Sequence, residues 1–87
     1  MNAGKRMIGD HGELRTTLTV GPKGIDIGVW DLSGKGNLQV VRPRTYYNIF
    51  DFEVAKKEAV VLIAQQLGYH TSEFDLIRQK TVWYGPY

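Results

Sequence analysis

The segment from Asp51 to Gly68, DFEVAKKEAVVLIAQQLG, restricts the possible folds more than any other part of the chain. It reads as a single helix. Asp51 supplies an N-cap, Glu53 puts negative charge in the first turn, and Gly68 suits the left-handed residue that often ends a helix. At about 100° per residue, Phe52, Ala55, Ala59, Val60, Leu62, Ile63 and Leu67 form one broad apolar stripe, which must face a core. Val54 and Val61 fall on the opposite side, among Lys57, Glu58 and Gln65. A single small sheet cannot cover both sides, so the second stripe is expected to meet a partner.

The rest of the chain alternates in the manner of strands. Leu14, Thr16, Leu18 and Val20 share one face against Arg15, Thr17 and Thr19, and Ile25, Ile27 and Val29 oppose Asp26, Gly28 and Trp30. Gly21-Pro22-Lys23-Gly24 suits a tight turn between them. Gly28 in mid-strand implies a bulge or a close neighbour such as the Trp30 ring. A third strand begins at Leu38, and Pro43 must end its pairing, bulge it or place it on an edge, because proline has no N–H for the ladder. Phe74 to Tyr84 alternates again and predicts a long last strand. The order is strand, strand, strand, helix, strand. Short connections make the strands antiparallel, which gives an α+β two-layer sandwich of about four strands with one helix on one face. Residues 1–12, rich in glycine and without periodicity, read as a flexible arm, and 13–87 as one domain.

Such a small domain is marginally stable alone, and the absence of cysteine removes disulfides and thiolate metal sites as supports. Homodimerisation through Val54 and Val61 would supply the missing burial. Eleven basic and nine acidic side chains give a net charge of +2, too little to announce a nucleic-acid binder by itself. No segment approaches the roughly 20 apolar residues of a membrane span, and the first residues lack the apolar run of a secretory signal. A cytoplasmic protein without a membrane role is expected.

Catalytic chemistry has little support. His11 and His70 lie in the arm and in a turn, the two serines sit in turns, and no histidines and carboxylates cluster at ligand spacing. Gly34-Lys35-Gly36 is followed by a strand rather than a helix, so it reads as a hairpin turn and not a phosphate loop. The chain is expected to be no enzyme, with no metal and no cofactor.

The uncovered face of a small antiparallel sheet is its natural binding surface. Arg42-Pro43-Arg44-Thr45-Tyr46-Tyr47 combines cations with aromatic rings, and Lys35, Arg78 and Lys80 could join it. Single-stranded nucleic acid is gripped by such combinations, cations tracking the backbone and rings stacking on bases. In a regular strand Arg42, Arg44 and Tyr46 share the open face and Tyr47 meets the helix. A bulge at Pro43 would put Tyr47 with Arg44 instead. The element order from Thr16 to Leu67 resembles that of coactivator-type and Whirly single-stranded DNA-binding proteins, although the strand expected after the helix departs from it. That resemblance implies dimerisation through the helix and binding by the strands. Two functions follow from these residues. One is a small nucleic-acid-binding regulatory module. The other is a protein-interaction module, an adaptor or inhibitor of a larger protein, acting through Val54 and Val61 or through the aromatic C-terminus at Tyr87.

Overall fold

The structure, a computed structural model, describes residues 4–34, 38–68 and 73–87. Strands β1 (Arg6–His11), β2 (Leu14–Val20), β3 (Gly24–Asp31) and β4 (Leu38–Tyr47) follow one another, then helices α1 (Phe52–Leu67) and α2 (Phe74–Lys80), then strand β5 (Val82–Tyr84). They form one five-stranded sheet in the order β4-β3-β2-β1-β5, with every pairing antiparallel. Helix α1 packs across β2 and β3, and α2 lies against α1, so both helices occupy the same side. This is the expected α+β arrangement with one sheet face covered.

The core follows from the alternation. Leu14, Thr16, Leu18 and Val20 of β2 and Ile25, Ile27 and Val29 of β3 are buried beneath Ala55, Ala59, Leu62 and Ile63 of α1. The helix caps also behave as read. The Asp51 carboxylate accepts from the Glu53 N–H at 2.8 Å, and Gly68 is left-handed at φ 73°.

Two expectations are corrected. Residues 6–11, read as part of an arm, form β1 in the interior of the sheet. Met7 and Gly9 point inward, and the glycine hides the apolar period. The missing Cβ is required, because it would lie 2.6 Å from the Trp83 ring. The long last strand is also replaced, by α2 and the three-residue β5. Phe74 and Ile77 are spaced to pack on α1 as well as to alternate, and Ile77 is 1% exposed. Asp75 in the first turn, and Arg78 and Lys80 in the last, match the helix dipole, and Arg78 reaches Asp75 at 3.2 Å. Helix α2 also borders the buried Val60 on the flank of α1, where Phe74 lies beside it.

Thr16 is fully buried, yet its hydroxyl has no hydrogen-bond partner. Thr16→Val keeps the shape and removes the orphan donor. It is expected to stabilise the fold by about 1 kcal/mol, raising the melting temperature by roughly 4–8 °C. An unchanged or lower melting temperature by calorimetry would show that the hydroxyl is satisfied.

Candidate nucleic-acid interface

Pairing registers decide what each strand presents to the open face. Ile25 pairs with Tyr46 and Ile27 with Arg44, while Asp26 pairs with Thr45 and Gly24 with Tyr47. Since Ile25 and Ile27 are core residues, Tyr46 and Arg44 stand on the helix side, and Thr45 and Tyr47 on the open side. The cause is a bulge. From Ile27 to Val29 the strand β3 advances past Gly28 alone, whereas β4 spends both Arg42 and Pro43. Pro43 sits over Gly28, 2.9 Å from where a Cβ would be.

The expected cluster on β4 is therefore divided. The Arg44 guanidinium stacks on the Tyr46 ring at 5.3 Å at the rim of the helix layer. Burial against the core pushes the pKa of the Tyr46 hydroxyl up, with the Arg44 charge opposing and Glu58 reinforcing the shift. Tyr47 is exposed on the open side, so neither alternative read for the two tyrosines holds: alternation beyond the bulge keeps Tyr47 away from Arg44. Arg42 is exposed beside Pro43. Arg78 and Lys80 belong to α2 and not to the sheet, and Lys35 lies outside the described residues.

A different set meets on the open face. The Trp30 ring lies back along β3 over Gly28, 2.8 Å from the place of a Cβ, with Pro43 beside it. Gly28 pairs with Thr17, Thr17 with Ile8, and Ile8 with Tyr84. Pro43, the Trp30 ring, Thr17, Ile8 and Tyr84 thus form a row across all five strands, a span of about 19 Å at roughly 4.8 Å per strand. On one side of it runs Gln39, Trp30, Arg15, Asp10 and Val82, and on the other Thr45, Asp26, Thr19 and Arg6.

The charges of this face are arranged in pairs. Arg15 grips Asp10 with two bonds, Nε to Oδ1 at 2.8 Å and Nη2 to Oδ2 at 3.0 Å, and these bonds hold the guanidinium pKa above its ordinary value. Asp26 accepts from the Thr45 hydroxyl. Arg6 is exposed and has no ion-pair partner among the described residues. Beyond β5 the backbone of Tyr87 exchanges two hydrogen bonds with Arg6, at 2.8 and 3.3 Å, which holds its exposed ring beside Tyr84. Ile8, Asp10, Arg15, Tyr84 and Tyr87 enclose an open concavity of about 240 Å³.

His11 has a structural task. The Thr81 hydroxyl donates its one proton to the Ile77 carbonyl at 2.6 Å, so at 3.2 Å His11 Nδ1 must donate to Thr81 Oγ1. The bond ties β1 to the junction of α2 and β5. Asp31 is likewise committed to a turn, its pKa lowered by the Ser33 hydroxyl and then by the Ser33 N–H. Among the described residues no three His, Asp or Glu side chains are grouped to hold a metal ion, and His70 lies outside those residues.

The residues that sequence reading passed over have particular signals. Trp30 was legible as outward-facing because Ile25, Ile27 and Val29 point inward. Ile8, Asp10 and Tyr84 carry no such signal, because Gly9 breaks the apolar period of β1 and the alternation of residues 74–84 continues without a break into β5. Of the two valines expected to meet a partner, Val54 is 41% exposed and Val61 half-buried, and α2 lies close by, its Phe74, Asp75 and Arg78 beside Lys57 and Val60. No membrane-spanning helix is present among the described residues.

Comparisons with protein-family models, with curated proteins and with solved structures give no match.

Proposed function

We propose that the chain is a small, non-enzymatic nucleic-acid-binding module that takes a single strand across its open sheet face. The observation that carries this reading is the row of Trp30, Ile8 and Tyr84, uncovered by either helix and flanked by Arg6 and Arg15. Rings lying on a sheet offer stacking surfaces to bases, and cations beside them follow the phosphates. The platform differs from the one expected on β4: Tyr46 and Arg44 leave it, and Trp30, Tyr84 and Arg15 enter. A regulatory role in the cytoplasm suits a module of this size.

Filter binding of single- and double-stranded oligonucleotides at two salt concentrations tests the proposal. The single strand is expected to bind more tightly. Its log affinity should fall linearly with log salt, by about 0.7 for each phosphate neutralised. Absence of saturable binding at low salt, or affinity indifferent to salt, would remove it.

A second reading rests on Val54, the exposed valine of α1, with Val61 beside it. These residues suit a protein partner, first of all a second copy of the chain. Burying four valines about a two-fold axis would contribute on the order of several kcal/mol. Sedimentation equilibrium at tens of micromolar is expected to show a dimer that Val61→Glu dissociates. A wild-type monomer would end this reading and leave the sheet face unaffected.

A further inference from the structure

We infer that the concavity at the β1–β5 corner is a pocket for a guanine base. The inference rests on the sheet-face reading above and names the base that the face would select. The pocket has a floor of Ile8, aromatic walls from Tyr84 and Tyr87, and one polar side made by the Asp10–Arg15 pair. At about 240 Å³ it falls below the roughly 300–1,000 Å³ of pockets for drug-sized molecules, and it suits a single planar ring system. Unpaired bases are recognised by stacking on aromatic side chains and by hydrogen bonds to their polar edges.

The polar side decides which base. Arg15 spends Nε–H and one Nη2–H on Asp10, which leaves the other Nη2–H and both Nη1–H groups as donors. Each Asp10 oxygen accepts one of those bonds, so the carboxylate edge that could take adjacent N–H groups of a base is filled by Arg15. The Nη1–H and free Nη2–H groups form a second fork at the end of the guanidinium. Guanine offers that fork two adjacent acceptors, O6 and N7, on a two-ring base that stacks widely. Adenine sets its N6 amino group beside N7, and thymine sets N3–H between its carbonyl oxygens, so each meets one of the donors with another donor. Cytosine has adjacent acceptors, O2 and N3, but on a single ring with less stacking surface. Asp10 holds the Arg15 fork in place for this task from the neighbouring strand.

The test is fluorescence anisotropy with the full chain and labelled oligothymidine, alone or with one central thymidine replaced by guanosine, adenosine or cytidine. The guanosine oligonucleotide is expected to bind roughly tenfold or more tightly than the other three. Arg15→Lys, checked for native fold by circular dichroism, should abolish that ratio, and Asp10→Asn should reduce it. Equal affinity of the wild type for all four, or preference for another base, overturns the guanine pocket while leaving the stacking platform in place. No binding of any oligonucleotide overturns both. The wild-type comparison decides the matter alone if the variants do not fold.

Discussion

Gly9→Ala is expected to destabilise the protein by on the order of 2–3 kcal/mol, a large share of what so small a domain possesses. The added methyl would lie 2.6–2.9 Å from three atoms of the Trp83 ring, which closes the core at the β1–β5 edge under Lys56. A tryptophan ring packed on a core cannot swing aside as a lysine tip can, so the strand pairing must yield. Since Tyr84 follows Trp83 directly, the same change should also disorganise the corner of the open face. Thermal melts of Gly9→Ala, Trp83→Leu and the double variant check this. The double variant should lose less than the sum of the singles, because the smaller side chain makes room for the methyl. Strict additivity would show that the ring and the glycine are not in conflict.

Tyr84→Ala and Tyr46→Ala are expected to separate binding from folding. Tyr84 is 45% exposed on the open face, and its loss should weaken single-strand affinity by roughly 1–3 kcal/mol through lost stacking, with little change in melting temperature. Tyr46 packs against the core beneath Arg44. Its truncation should cost the fold on the order of 2–4 kcal/mol and leave the affinity of the folded fraction near that of the wild type. Anisotropy titrations with paired thermal melts read both effects. If Tyr46→Ala were the variant that lost affinity, the strand would have to cross the helix side of β4 instead of the open face.

The parts of the fold that were legible are those in which local pattern and tertiary role agree. In β2, and in β3 from Ile25 to Val29, every inward position is apolar or threonine, and Asp51 and Gly68 mark the ends of α1 chemically as well as by period. Where one residue serves two demands, the pattern fails. Gly9 occupies an inward position but gives its volume to Trp83, so β1 has no visible alternation. Phe74 and Ile77 satisfy a strand reading because the residues around them alternate, and the packing partner that makes them helical, α1, belongs to a separate element that ends at Leu67. Pro43 announced a bulge, and Gly28 the neighbour that would fill the space above it. What neither residue revealed was that they are the same event, with the ring of Trp30 as third party. The candidate site suffered most from this, since a face assignment depends on register and a single extra residue reverses it.

The same bulge bears on how this protein can meet other chains. Strand β4 is ten residues long and borders the sheet, and a long border strand is ordinarily a template on which another polypeptide can grow the sheet. Here the ladder is interrupted in two places, between Ile27 and Val29 and again between Val29 and Trp30. Pro43 withholds its donor at the first of them, and exposed Arg42 and Arg44 flank it with like charge. The opposite border is the three-residue β5. Backbone templating is thus discouraged at both margins, which protects a small, strand-rich chain from indiscriminate self-association. Recognition is left to side chains displayed on faces, where it can be selective.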